Sequence, residues 1–193
     1  MHIILNQMYM SKRNDFAFKS LNVLAWIIFI GLCIETGGLI VNAIVSLFIN
    51  PMASSRFWGN RNLYELYQFN QSYFITIVVL LIIVSMLKSI LFYVIVNLFQ
   101  KKRLNLNSPF NEQLGRALNN IGYLALGIGL FSWWGNNFSK WLKRNGQTVL
   151  TQTFENIKFE GADVWLFMAI ILLIFGMIFK KGIELQSEND FTV

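Results

Sequence analysis

Histidine and cysteine are almost missing from this chain of 193 residues: His2 stands near its beginning and Cys33 inside an apolar run. One cysteine excludes an intrachain disulfide and leaves the redox compartment open. A lone cysteine and a terminal histidine cannot make a zinc site within one chain. With His2 as the only imidazole there is no Ser/His/Asp arrangement. A phosphate loop is missing too, since Gly122, Gly127 and Gly129 lie in an apolar segment with no Lys-Ser/Thr after them. Glu35 has no second carboxylate deep in the apolar runs to pair with for acid–base work. No enzymatic activity is expected, and no cofactor or metal. Charge is scarce as well: 13% of residues are charged, against about 25% in soluble domains.

What is present is apolar surface, with 55% of residues hydrophobic and 16% aromatic. Tyr73 to Gln100 is apolar almost throughout, carries one ionised side chain, Lys88, and runs into Lys101-Lys102-Arg103. Crossing a bilayer core of roughly 30 Å takes about 20 such residues. Three further runs follow the same logic, at residues 21–49, 117–134 and 163–180. The third is the least apolar, with Asn119, Asn120 and three glycines, but Ala125 and Gly129 have the small-xxx-small spacing that lets membrane helices approach. The expected fold is an all-α membrane protein, a four-helix transmembrane bundle forming one domain over 1–193. Loop two, 135–161, contains Phe138, Trp141 and Leu142 at helical spacing, then a strand-like stretch that suggests a small extracytoplasmic hairpin between helices 3 and 4.

The net charge of +6 sits at the ends of the apolar runs, which favours a lipid bilayer as partner over direct contact with nucleic acid. With the N-terminus inside, Lys12, Arg13, Lys19, Lys101, Lys102, Arg103, Arg116, Lys180 and Lys181 fall inside. Arg56, Arg61, Lys140, Lys143, Arg144 and Lys158 fall outside. This bias predicts an inner-membrane protein with both termini cytoplasmic. Loop one, 51–72, is rich in aromatic residues, among them Phe57, Trp58, Tyr64, Tyr67 and Phe69. It reads as a collar at the membrane–water boundary, with a ligand-stacking surface as the second reading.

Glu35 and Lys88 are the ionisable residues deep in the spans. Glu35 lies 14 residues above Leu21, or roughly 21 Å, and Lys88 lies 12 above Gln100, or roughly 18 Å. Spans one and two are antiparallel neighbours, so the two residues are expected to meet as an ion pair. The pair either fixes register or belongs to an intramembrane polar site that Asn42 and Asn97 extend.

The ending Gly182-Ile-Glu184-Leu185-Gln-Ser-Glu188-Asn-Asp190-Phe191-Thr192-Val193 resembles the closing motif of the bacterial domain-of-unknown-function family 2975, with Phe191 in place of a leucine. Lys88, then Lys101-Lys102-Arg103, then Pro109-Phe110 also resemble that family. The resemblance covers spans two to four and implies a small four-helix membrane protein without an assigned activity. Members are often encoded beside a helix-turn-helix regulator, which implies a cytoplasmic transcriptional regulator as partner. The acidic tail at Glu184, Leu185, Glu188 and Asp190 is the surface such a partner would use. The expected role is non-enzymatic, regulatory or sensory. The alternative is a small transporter, working as an oligomer, or an immunity-type protein using the Glu35/Lys88 region.

Overall fold

A computed structural model describes residues 2–59, 61–100, 112–145, 159 and 161–190. These residues form five α-helices and no sheet: α1 (His2–Ile44), α2 (Tyr64–Phe69), α3 (Gln71–Gln100), α4 (Glu112–Asn145) and α5 (Ala162–Asp190). Three stretches are long and apolar enough to cross a membrane, namely Phe18–Ile49, Gln71–Gln100 and Ala162–Gln186. The expected apolar runs at 21–49, 73–100 and 163–180 lie inside them.

Helix α4 differs most from expectation. The 18-residue run at 117–134 is the middle of a 34-residue helix that takes in Phe138, Trp141 and Leu142. The helix therefore takes in the first eleven residues, 135–145, of the expected loop two. Asn119, Asn120 and the glycines dilute its apolarity, so α4 is not among the three stretches above. It nevertheless has a buried stripe along its length, because it packs against both α3 and α5. The expected hairpin lies outside the described residues, as do Lys101–Arg103, Pro109-Phe110 and Phe191–Val193.

Helix α3 is the centre. On one side it meets α1 through a seam that recurs every three and four residues: Ala25, Phe29, Leu32, Thr36, Leu39 and Ala43. That is the spacing that keeps one stripe of a helix facing a partner. Phe29 lies against Tyr93, its ring tilted 43°, and Thr36 bonds Ser85, so the two helices run antiparallel. On its other side α3 meets α4, with Tyr73 against Phe138 and Trp141 at one end. Val84 and Leu91 share a core with Ile121, Ala125 and Ile128 of α4 and Ala169 of α5.

The α4–α5 seam is closer still. Gly129 faces Leu166, Gly122 faces Leu173, and Gly115 faces Phe179. A Cβ at Gly129 would stand 2.7 Å from Leu166 Cγ and 3.1 Å from its backbone nitrogen. Small residues are what allow two helices to approach this far where no hydrophobic drive separates them from lipid.

Residues 50–70 are not simply a collar. Helix α1 continues as a π-helical turn, Val45–Ile49, and stops at Asn50. Asn50 accepts from the Met52 N–H at 2.9 Å, starting a 3₁₀ segment, Pro51–Arg56. Phe57 and Arg61 then exchange backbone bonds of 2.9 and 3.1 Å around a turn in which Gly59 has φ of 76°, a conformation costly for other residues. This fold-back buries Phe57, Leu63 and Leu66 among Leu39, Phe74, Ile77 and Leu142. Trp58 and Phe69 stay exposed, so only part of the aromatic set is free to serve as a collar. Trp58 lies on α1 at Gly38, where any Cβ would overlap its ring. Asn70 caps α3 by accepting from the Ser72 N–H at 2.8 Å.

Candidate functional site

At the level where Glu35 and Lys88 were expected to pair, the α1–α3 contact is made by hydroxyl groups. Thr36 Oγ1 donates to the Leu32 carbonyl at 2.8 Å and lies 2.7 Å from Ser85 Oγ and 3.1 Å from Ser89 Oγ. Ser89 Oγ donates to the Ser85 carbonyl at 3.1 Å. Each hydroxyl has one proton. With Thr36 giving to Leu32, Ser85 giving to Thr36 and Ser89 giving to Ser85, none of the three is left without an acceptor. Thr36 and Ser85 are buried, where an unmet hydroxyl would cost about 1–3 kcal/mol.

Glu35 precedes Thr36, and Lys88 precedes Ser89. The depths therefore match as expected, but no ion pair joins the two side chains among the described residues. The reason is azimuth. At about 100° per residue, each sits roughly 80° off the α1–α3 contact line, both on the same side of it. Both side chains are half-buried. Lys88 Nζ instead stands 5.8 Å from the centre of the Trp165 ring of α5, within cation–π range. Asn42, seven residues from Glu35, shares its face of α1.

Asn97 does not extend that site. Nine residues after Lys88, it lies on the opposite face of α3 and roughly 13 Å further along. It opens on a different cavity, of about 330 Å³, between the last turns of α3 and the first of α4. Asn97, Gln113, Arg116 and Asn120 give this cleft its polar wall, and Val94, Leu98 and Ala117 its apolar one. Arg116 also contacts Glu112 Oε2 at 2.9 Å, with the side chains 69% and 71% exposed. So open a pair contributes only about 0–1 kcal/mol.

The acidic tail is helical rather than a separate segment. Helix α5 leaves the apolar stretch and continues to Asp190. Glu184, Leu185 and Glu188 are exposed on it, and Lys181 Nζ contacts Glu184 Oε2 at 3.2 Å. The Asp190 side chain lies outside the described residues. No group of three or more His, Cys, Asp or Glu able to hold a metal occurs among the described residues.

Two features have no counterpart in the sequence-based expectations, the hydroxyl set and the cleft. A signal existed for the first: Thr36 and Ser85/Ser89 are polar residues at matching depth in facing spans. The second had none, because in the sequence Arg116 marks only topology. Comparison with known proteins adds one finding: the model of a family described as a protein of unknown function (DUF2975) matches residues 63–193. No curated protein and no solved structure matches the chain.

Proposed function

The chain belongs to the DUF2975 family, and from that premise we propose that it is a non-enzymatic membrane regulator or sensor. In this reading α4 crosses with the three more apolar helices, making a four-helix bundle in the inner membrane with both termini cytoplasmic. One observation carries the regulatory role. Helix α5 spans 29 residues, Ala162–Asp190, or about 43 Å, against an apolar core of roughly 30 Å. A displacement in the bilayer is thus transmitted along one unbroken rod to its charged end. There Leu185, 51% exposed, lies between Glu184 and Glu188. An apolar anchor ringed by carboxylates suits a basic cytoplasmic protein, such as a helix-turn-helix regulator.

The test is cross-linking of the intact protein in its own membrane. A soluble basic partner should be captured by the full chain and lost on deletion of Glu184–Val193. Capture that survives the deletion would sink this reading.

A second reading, a small transporter or immunity-type protein, draws on Glu35 and Lys88 facing the same side of the α1–α3 seam without pairing. Such an arrangement leaves two opposite charges for a polar ligand or a proton. Under that reading Glu35→Gln abolishes function while the tail deletion is tolerated.

A further inference from the structure

The cleft between the ends of α3 and α4 is separate from the tail and from Glu35/Lys88, and we propose that it binds a phosphate ester through Arg116. Four considerations lead there. Its volume, about 330 Å³, is at the small end of the roughly 300–1,000 Å³ of ligand pockets. Its described polar side chains, Asn97, Gln113, Arg116 and Asn120, all carry N–H donors, and no carboxylate is among the described residues that line it. A guanidinium is a planar fork of five donors that matches phosphate oxygens two at a time. Its competing contact, to Glu112, is exposed on both sides and therefore weak. Arg116 can keep that contact through one nitrogen and turn the rest of the fork to a ligand.

The opposite wall explains why the ligand is an ester rather than a bare ion. Val94, Leu98 and Ala117 offer nothing to an inorganic anion but suit the glycerol or acyl part of a larger molecule. The cleft also lies at the end of an apolar helix, where the headgroup of a lipid packed along α3 would arrive. Basic pockets between helices at this level commonly take anionic headgroups. Two sources share this chemistry: an anionic phospholipid from the leaflet, or a soluble phosphate monoester from the aqueous side.

The experiment uses the full chain in phosphatidylcholine nanodiscs, with three additions made separately: phosphatidylglycerol, glycerol 3-phosphate and inorganic phosphate. Thermal unfolding is followed, and bound lipid is read by native mass spectrometry. A rise in Tm of several degrees with phosphatidylglycerol alone supports the proposal with a lipid as source. A rise with glycerol 3-phosphate supports it with a soluble ester as source. Arg116→Gln should weaken the effective addition about tenfold or more, as expected for losing a charge-assisted hydrogen bond. Gln113→Glu, at an exposed position, should weaken binding similarly by placing a carboxylate in the cleft, with circular dichroism confirming that both variants fold. No rise with either ester overturns the proposal, as does a response to inorganic phosphate alone. So does a rise that both variants leave unchanged, because attraction to the basic run Lys101-Lys102-Arg103 would then explain it.

Discussion

The α1–α3 and α4–α5 seams join neighbouring antiparallel helices by different means. Between α1 and α3 the side chains are of ordinary size, and a hydroxyl set at Thr36, Ser85 and Ser89 marks the middle. Between α4 and α5 the contact is steric, with Gly115, Gly122 and Gly129 accepting Phe179, Leu173 and Leu166. A hydroxyl seam tolerates a change of shape but loses hydrogen bonds with a change of polarity. A glycine seam behaves in the opposite way. The least apolar long helix can thus pack closely on two sides, against α3 and α5, since α4 is held by proximity rather than by greasy side chains.

The largest expected effect is on the glycine seam. Gly129→Leu or Gly122→Leu should destabilise by about 3 kcal/mol, the upper end for overpacking a tight interface, as a lowered thermal midpoint in detergent. Gly127→Leu is the internal control: a Cβ there meets only Leu87 Cδ1, at 3.4 Å, so its loss should be clearly smaller. Equal losses at 127 and 129 would erase the contrast between the seams.

Next comes Thr36→Val, which keeps shape and removes the hydroxyl. We expect a loss of about 0.6–1.7 kcal/mol, the range for hydrogen bonds between membrane helices. Combining it with Ser85→Ala should add little, because the partner is already gone. Full additivity in a double-mutant cycle would mean that the two hydroxyls act separately. Lys88→Met should change stability by less than about 1 kcal/mol. The lost cation–π contact, about 0.5–2 kcal/mol, is offset by removing a charge from an apolar span. A larger loss would reveal a partner for the ammonium group in the membrane. The smallest effect is expected for Glu112→Gln, within about 0.5 kcal/mol for a solvated pair.

Much of this arrangement is legible in the sequence, and the rest is not for a geometrical reason. Length and hydropathy place the three candidate membrane spans within about six residues at each end, because lipid thickness acts on composition alone, whereas α1 and α5 themselves run on to His2 and Asp190. Depth is equally legible, since a rise of 1.5 Å per residue puts Glu35 and Lys88 at the same level. Azimuth is not, because it depends on where every neighbour stands. Thr36, one residue from Glu35, faces α3, and Lys88 turns towards Trp165 of α5. The ends of α4 are hidden for a related reason. Lys140, Lys143 and Arg144 look like loop residues until Leu142 is found in the core beside Phe57 and Phe74. The cleft at Arg116 requires two helix ends to be placed side by side, which no local pattern encodes.

The notches along α4 also have a mechanical meaning. Gly115, Gly122 and Gly129 recur every seven residues, and their partners on α5 recur at nearly the same interval. A slide of α5 by a single turn, about 5.4 Å, would drive Leu166 and Leu173 out of their notches and onto residues that carry a Cβ, such as Ala125. The next matching position lies two turns away, roughly 10 Å. The α4–α5 pair therefore has detents and resists creep. Under the proposed regulatory role, a movement passing to Leu185 would carry both helices together as one piston or rocker.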